Sequence, residues 1–306
     1  MLQDMFATAG PHAERIEQLW WVTFAVCLAV FAAVLIAFAF ALFNRKRTAP
    51  HAQVAVGAAL AVSFVLLVAL MFLSFGTDRA LATLPGDDPL RIEVTAHRWW
   101  WEARYMDPQP SRIFTTANEL YIPVGRTVEL TLRADDVIHS FWVPNLGGKK
   151  DLIPGRTATL RLRADKAGTY RGQCAEFCGV QHAKMALLVF ARQPDSYAAW
   201  ERQQRRSAPE PASDDEKRGR ELFVTGTCAM CHAIQGTDAN GRRAPDLTHL
   251  ASRETLAAGV LPNTRGHLAG WIIDPHSAKP GVNMPAHATL SPSDLQALLA
   301  YLGTLK

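Results

Sequence analysis

The apolar and polar positions divide the chain into parts of different character. Residues 19–43 and 54–75 are two apolar runs without a charged residue, each long enough to cross a hydrocarbon core of about 30 Å as a helix. A cleavable signal peptide carries a shorter apolar run of about 7–15 residues, and no second span need follow it. The pattern therefore predicts a transmembrane helical hairpin within residues 1–76.

Basic residues predict the orientation of this hairpin. Arg45, Lys46 and Arg47 lie in the short loop 44–53 between the apolar runs, whereas residues 1–18 are acidic on balance. Loops rich in Lys and Arg remain in the cytoplasm. We therefore expect the N-terminus and everything after residue 76 to lie on the extracytoplasmic side.

Residues 77–200 contain short segments rich in β-forming residues, often with alternating polarity and separated by Pro, Gly and Asp. These segments are 91–98, 119–124, 127–133, 137–143, 157–163, 168–173 and 185–191. Such spacing is typical of a Greek-key β-sandwich or barrel.

The apolar pattern changes again after residue 200. Residues 201–213 are polar, contain Pro and lack apolar periodicity, which is typical of a linker. Residues 214–306 then show helical periodicity, and Ser291 before Pro292 is a typical helix start. The predicted helices are 217–224, 265–273 and 293–305. The last part is therefore predicted to be a small all-α domain.

Composition and charge exclude two classes of protein. The chain has 32 Lys and Arg against 28 Asp and Glu, a net charge of +4, and no clustered basic face that would predict a nucleic-acid partner. Charged residues at only 20% and aromatic residues at 9% exclude a disordered chain. Of its five cysteines, Cys27 stands alone in the first apolar run and the others form two close pairs, which indicates two ligand or attachment sites.

The first cysteine pair belongs to a set of soft and borderline metal ligands. Cys174 and Cys178 are followed by His182 and Met185, and His139 lies upstream in a predicted strand. Thiolates, imidazoles and a thioether favour copper, and two thiolates on one loop can bridge two copper ions. A disulfide would leave the histidines and the methionine unexplained, and zinc has little use for a methionine. We therefore predict a dinuclear copper site.

This loop, the two apolar runs and the β domain resemble subunit II of haem-copper cytochrome c oxidases, whose CuA centre lies in a cupredoxin domain. The resemblance covers roughly residues 15–200 and implies a location in the bacterial inner (plasma) membrane with periplasmic domains. The implied copper ligands are the side chains of His139, Cys174, Cys178, His182 and Met185 and the backbone carbonyl of Glu176. The resemblance also implies that the Glu176 carboxylate holds Mg²⁺ or Mn²⁺ at the contact with subunit I; a solvated loop glutamate is the alternative.

The segment 97–105 resembles the aromatic segment of the same family and implies that Trp99 receives electrons from cytochrome c. If the segment is one strand, Trp99 and Trp101 share a face and Trp100 lies on the other, so at least one of them packs in the core.

Many relatives also carry a glutamate near the start of the second span, but residues 48–76 contain no Glu, and a role in proton uptake is not supported.

The second cysteine pair lies in the motif Cys228-Ala-Met-Cys231-His232, which is typical of covalent haem c attachment. A thioredoxin-like pair would need a βαβ context, and zinc would need two more ligands nearby. Met284, on a loop rich in Pro and Gly, is the predicted second iron ligand, and His/Met ligation suits electron transfer. The rival ligands are His249, His267, His276 and His287.

Residues 214–306 resemble a class I cytochrome c, and its position after a CuA domain resembles subunit II of caa-type oxidases. The combined resemblance implies the electron-input subunit of a terminal oxidase. Electrons would pass from an external donor through haem c and CuA to subunit I, where oxygen is reduced to water with proton translocation. The implied partners are subunit I, other oxidase subunits, cytochrome c or a similar soluble donor, and membrane lipid. The chain itself would have no oxygen-reducing site.

Two alternatives remain open from the sequence. Related subunits could deliver electrons to a nitric oxide reductase of the same superfamily, because the reaction is set by the catalytic subunit. The chain could also be a membrane-tethered redox carrier without a catalytic partner.

Overall fold

The computed structural model describes residues 3–43, 51–82, 84, 86 and 88–306. Helices α1 (Pro11–Phe43) and α2 (Ala52–Ala82) pack against each other, and the rest of the chain leaves their apolar segments uncovered. Both are long and apolar enough to cross a membrane, and they extend the predicted spans because polar residues at their outer ends remain helical. The basic residues Arg45, Lys46 and Arg47 lie outside the described residues.

The segment before α1 packs on the β domain. The Ala9 amide donates to the Asn145 carbonyl (2.8 Å), and the Asp165 amide donates to the Ala9 carbonyl (2.7 Å). The Asn145 side chain also donates to the Ala7 carbonyl (2.9 Å). The N-terminal segment and the β domain therefore lie at the same end of the hairpin, which agrees with the predicted orientation.

The middle of the chain is a sandwich of two five-stranded sheets with strand orders β3-β2-β1-β5-β8 and β4-β10-β9-β6-β7. Most neighbouring strands are antiparallel, but β1 pairs with β5, and β4 with β10, in parallel. The strands are β1 (Leu90–His97), β2 (Trp100–Tyr105), β3 (Phe114–Ala117), β4 (Glu119–Pro123), β5 (Val128–Ala134), β6 (His139–Trp142), β7 (Lys150–Leu152), β8 (Ala158–Leu162), β9 (Gly168–Cys174) and β10 (Ala186–Arg192). Alternate residues of β1 and β5 fill the space between the sheets, as in a strand buried on one face.

The seven predicted strands are present with ends shifted by up to two residues, but β2, β3 and β7 were not predicted. One prediction about the aromatic segment is wrong. β1 ends at His97, Arg98 and Trp99 form a turn, and β2 begins at Trp100, which pairs with His97. Trp99 and Trp101 therefore do not share one face of a strand, because the chain reverses direction between His97 and Trp100.

Helix α3 (Pro194–Gln204) crosses the predicted boundary between the β domain and the linker. Its outer residues are polar, which masks the helical pattern, while Tyr197 is buried and Trp200 stacks on Tyr121 with ring centroids 4.3 Å apart. The chain that follows is irregular up to Ser213, the N-cap of the next helix. The role of 201–213 as a linker stays a prediction.

The C-terminal domain contains α4 (Asp214–Thr225), α5 (Arg265–Ile273), α6 (Pro275–Ala278) and α7 (Pro292–Thr304), with a two-stranded ribbon of β11 (Thr255–Leu256) and β12 (Leu261–Pro262). α4 and α7 pack closely, and Phe223 and Tyr301 are buried between them and their neighbours. The predicted fold class, an apolar helical hairpin followed by a β-sandwich and a small helical domain, is confirmed.

Candidate functional site

The predicted copper ligands converge at one end of the sandwich. His139 begins β6 and Cys174 ends β9, and these strands pair side by side. The loop between β9 and β10 then brings Cys178 and His182 to the same place. The His139 Nδ1 atom lies 3.7 Å from the Cys174 sulfur, and the His182 Nδ1 atom lies 3.6 Å from the Cys178 sulfur. Met185 is fully buried, with its sulfur 3.9 Å from that of Cys178.

Neither Cys174 nor Cys178 forms a disulfide, and both are buried. Their sulfurs and a ring nitrogen of His139 lie within 4.8 Å of one another, a geometry that could hold a metal ion. A hydrogen bond from the Cys178 thiol is the main reason why the pKa of Cys174 falls to about 3, and the same pairing raises the pKa of Cys178 above its usual range. The hydrogen bond from Cys178 thus favours the thiolate form of Cys174, and thiolates are the form that binds copper.

Asp136 orients His139, a role that sequence reasoning missed. Its carboxylate lies 2.8 Å from His139 Nε2 and accepts from the amides of Arg98 and Val137 (both 2.7 Å). Burial lowers the pKa of His139, but the hydrogen bonds with Cys174 and Asp136 outweigh it and raise the pKa overall. A carboxylate on the far ring nitrogen holds a metal-binding imidazole in one orientation. Asp136 lies three residues before His139, and this spacing was the only sign of its role in the sequence.

Glu176 lies in the same loop, and its two polar groups have different partners. Its backbone carbonyl oxygen lies 3.1 Å from the Cys174 sulfur, which places that oxygen beside the cluster. Its carboxylate is half-exposed and pairs with Lys149, and among the described residues it belongs to no group of three or more side chains that could hold a metal ion.

The three tryptophans have separate environments. Trp99 is buried, and its Nε1 donates to the Cys178 carbonyl (2.9 Å). Trp100 stacks on His97 with ring centroids 4.3 Å apart. Trp101 is a core residue in edge contact with Phe141 (5.9 Å) and His139 (6.3 Å). Of the three, only Trp99 touches a predicted copper ligand through a hydrogen bond.

The predicted haem residues surround a mainly apolar cavity of about 470 Å³ in the helical domain. Cys228, Cys231, His232 and Met284 all line it. This volume lies within the usual range for small-molecule and cofactor pockets, roughly 300–1,000 Å³. Arg98, Trp99 and Trp100 of the sandwich line the same cavity, so it opens directly onto the β-sandwich, which we call the copper domain after its predicted site.

The orientation of His232 suits iron binding. Its Nδ1 lies 2.7 Å from the Pro245 carbonyl, to which it donates, and this leaves Nε2 as the free ring nitrogen. Burial lowers the pKa of His232, so the imidazole is neutral and able to bind a metal.

The rival ligands differ in their access to the cavity. Both ring nitrogens of His249 contact backbone carbonyls, those of Lys306 (2.8 Å) and Gln204 (3.1 Å). Neither His267 nor His276 lines the cavity, whereas His287 does, as does Met284. The structure thus reduces the candidates for the second ligand to Met284 and His287.

Comparison with known proteins adds to this geometry. Residues 102–191 match the family model of the periplasmic domain of cytochrome c oxidase subunit II, and residues 216–306 match the cytochrome c model. Cytochrome c oxidase subunit 2 of Alkalihalophilus pseudofirmus (strain OF4) is 42% identical over 221 residues, 72% of this chain and 63% of that protein. The Bacillus subtilis (strain 168) protein of the same name is 35% identical over 230 residues, with the same shares. The chain thus spans about 63% of the length of these relatives.

Among solved structures, the periplasmic domain of subunit II of cytochrome oxidase from Bradyrhizobium japonicum is 29% identical. The match covers 40% of this chain and 95% of the Bradyrhizobium japonicum domain, with a TM-score of 0.37. The two family models match successive parts of one polypeptide, in the order of its β-sandwich and its helical domain. The chain therefore contains a domain of the cytochrome c oxidase subunit II periplasmic family, followed by a cytochrome c domain.

Proposed function

We propose that this chain is the electron-input subunit of a haem-copper terminal oxidase of the caa type. The observation that carries the proposal is the convergence of five copper-type side chains at a sandwich end that faces a cavity lined by a Cys-x-x-Cys-His motif. When bound, haem c and dinuclear CuA supply one-electron transfer, from an external donor such as cytochrome c toward subunit I, which reduces oxygen to water with proton translocation.

His139, Cys174, Cys178, His182 and Met185 would hold the copper ions through side chains, and Glu176 through its backbone carbonyl. The strands β6 and β9 and the short loop after them hold these groups close together. The sulfur-bearing side chains are buried, so water has little access to the site. Asp136 limits rotation of the His139 ring. A rigid ligand set keeps the rearrangement that accompanies electron transfer small.

In the haem cavity, Cys228 and Cys231 would form the thioethers and His232 would bind iron through Nε2. Met284 would be the second ligand, because a thioether from a Pro- and Gly-rich loop raises the reduction potential and leaves no open position for oxygen. Trp99 would conduct electrons between the sites, since it lines the haem cavity and donates to the backbone of Cys178.

We place α1 and α2 in the bacterial inner membrane, in contact with lipid and with oxidase subunits, and both soluble domains on the periplasmic side. The N-terminal segment supports this arrangement because it packs on the sandwich and must lie on the same side. A Mg²⁺ or Mn²⁺ ion at the contact with subunit I would have to displace Lys149 from the Glu176 carboxylate and take further oxygen ligands from subunit I.

The test is Cys174→Ser in the purified complex, with Cys27→Ser as the matched control because Cys27 lies in the apolar helix α1, away from both sites. We expect Cys174→Ser to lose copper, its mixed-valence paramagnetic signal and turnover with cytochrome c, while haem c stays attached and artificial reductants still reach subunit I. The control should keep all of these properties.

Full turnover of Cys174→Ser with cytochrome c would contradict the proposed route. Purification of the chain without haem a and without a large multi-span subunit would favour a membrane-tethered carrier. Reduction of nitric oxide in place of oxygen by the purified complex would favour the reductase alternative.

A further inference from the structure

The loops that carry the two predicted metal sites are in direct contact. We call residues 175–185, between β9 and β10, the copper loop. From this loop, Lys184 Nζ donates to the Ala278 carbonyl (2.6 Å) and Gln181 Nε2 donates to the Pro280 carbonyl (2.5 Å). The residues that accept belong to the segment 278–284, which ends at the predicted iron ligand Met284. The side chain of Val180 also lies against Gly281. The helical domain therefore rests on the copper loop.

Lys279 is a deeply buried ionisable side chain of this contact. It is 2% exposed, and its Nζ donates to the carbonyls of Trp99 (2.8 Å) and Ala257 (3.1 Å). Its partners are thus two backbone carbonyls rather than a carboxylate, and one of them belongs to the other domain.

Burial of an ammonium group is costly unless its donors are satisfied. Desolvation lowers the pKa of Lys279 to about 7, which reflects this cost. If the domains separated, the Trp99 carbonyl would be lost as an acceptor, and the Lys279 side chain would regain solvent. Inside the interface, this lysine therefore depends on the Trp99 carbonyl as one of its two acceptors.

Glu119 makes the reciprocal contact from the copper domain. This β4 carboxylate is 2% exposed and accepts from the amides of Glu254 (2.9 Å) and Thr255 (3.0 Å) and from the Thr255 hydroxyl (3.2 Å). Each domain thus inserts one charged side chain into hydrogen bonds supplied by the other, at two separate points of the interface.

Lys279 is also linked to the copper site through Trp99. The lysine donates to the Trp99 carbonyl, and the Trp99 indole donates to the carbonyl of Cys178. The two hydrogen bonds connect the segment before Met284 to a predicted copper ligand through a single residue.

We propose that Lys279 is a positioning residue that holds the cytochrome domain on the copper loop, so that electrons pass between the sites within one docked interface. The inference rests on the proposed function and specifies how its two sites communicate. A merely tethered domain would reach the copper site by diffusion at an effective concentration in the millimolar range. A docked domain needs no such encounter.

The first test is hydrogen exchange in the purified complex, comparing Lys279→Met with Lys217→Met. Lys217 is exposed on α4 and pairs locally with Asp214 (3.2 Å), so its replacement leaves the interface intact. A hydrogen bond to a charged group contributes roughly a factor of ten or more to stability. We expect protection of the Glu254 and Thr255 amides to fall by about tenfold or more in Lys279→Met and to remain unchanged in Lys217→Met. Equal protection in both variants would overturn the proposal.

The second test separates the electron-transfer steps by rapid kinetics. In Lys279→Met we expect haem c to be reduced by the external donor at the same rate as in the unaltered complex, while copper is reduced by haem c more slowly. Equal rates of copper reduction in the two proteins would overturn the proposal. In the unaltered complex this second step should also be insensitive to salt, because ions screen buried charges weakly. A strong salt dependence would indicate a loose surface encounter.

Glu119→Ala provides a second variant if Lys279→Met does not assemble. It removes the acceptor of the hydrogen bonds from Glu254 and Thr255, so we expect the same loss of amide protection and the same slower second step. Absence of haem or copper from the unaltered chain would contradict the proposed function itself, whereas intact cofactors with unaffected variants would contradict only the role of the interface.

Discussion

Glu119 shows how a single residue can make domain docking depend on pH. Burial raises its pKa from 4.5 to about 7, although hydrogen bonds from Thr255 and Glu254 and the charge of Arg253 oppose the shift. Tyr121, in the same strand, also faces it. A separated copper domain would expose Glu119 and return its pKa toward the ordinary value.

We therefore expect docking to weaken as the pH rises from about 4.5 to about 7. In this window the docked state keeps a proton that the separated state releases, and below it both states are protonated. The shift corresponds to on the order of 3 kcal/mol of docking free energy. Hydrogen exchange of the Thr255 amide, corrected for intrinsic rates, measures the effect. Glu119→Gln should abolish the pH dependence, and Glu221→Gln, on the exposed side of α4, should retain it. If the protection of the Thr255 amide still changes with pH in Glu119→Gln, the pH dependence does not arise from Glu119.

Other residues at this scale differ in how far the sequence could predict them. The copper and haem ligands carry donor types and spacings that indicate metal chemistry by themselves. Asp136 offers only its spacing of three residues from His139, and Lys279 offers no signal, because an aspartate in a loop and a lysine before a proline are common on protein surfaces. Their roles depend on partners that the fold brings to them, His139 for Asp136 and Trp99 for Lys279.

Among the elements, the pair α4 and α7 depends on one small residue. A Cβ at Gly219 would lie 2.1 Å from the Ala297 carbonyl oxygen and 2.7 Å from the Tyr301 Cβ, so the helices could not keep their present distance. Backbone atoms cannot move aside as a flexible side chain can. The close packing of these helices in turn supports the wall of the haem cavity, which includes Leu298 and Leu302 of α7.

Gly219→Ala should therefore destabilise the cytochrome domain by about 1–3 kcal/mol, the usual cost of overpacking, and this outweighs the gain in helix propensity of roughly 1 kcal/mol or less. The matched control is Gly303→Ala in α7, where a Cβ would meet nothing within 4 Å. For both variants, the measurements are the denaturant midpoint of unfolding, monitored by haem absorbance, and the haem content per chain. Equal midpoints for the two variants would argue against the close helix contact.

Prediction of elements failed where tertiary contacts override the local pattern. The run of three tryptophans favours one continuous strand, yet the structure turns at Arg98 and Trp99. The turn places Trp101 in the core and Trp99 beside Cys178, two environments that one strand could not provide together. The polar surface of α3 concealed its helical pattern in the same way, because only Tyr197 and Trp200 pack inward.

For the whole molecule, the segment 3–10 connects the helical hairpin to the sandwich. Gly10 lies directly before α1, and a Cβ there would lie 2.0 Å from the Arg163 carbonyl oxygen. The backbone of Ala9 bridges Asn145 and Asp165 next to it. Lys166 Nζ donates to the Thr8 carbonyl (2.9 Å). These contacts set the direction in which α1 leaves the copper domain.

Gly10→Ala should release this segment from the sandwich, with a loss of roughly 1–3 kcal/mol in its local stability. Proteolysis and hydrogen exchange of residues 3–10 in the detergent-solubilised chain measure the effect. Gly57→Ala, within α2 where a Cβ meets nothing, is the control and should leave both readouts unchanged. Similar protection of the segment in both variants would contradict its close packing.

The sequence by itself determined the order of the elements, the two apolar helices, most strands and the donor types of both predicted metal sites. These features arise from local periodicity and from donor atoms a few residues apart, so they can be recognised before folding is considered. Only the tertiary structure decided which tryptophan lies beside the copper loop and how the two domains meet. The reason is physical: the bond from Lys279 to Trp99 joins residues 180 positions apart, and a buried charge is stable only where the completed fold supplies its partners.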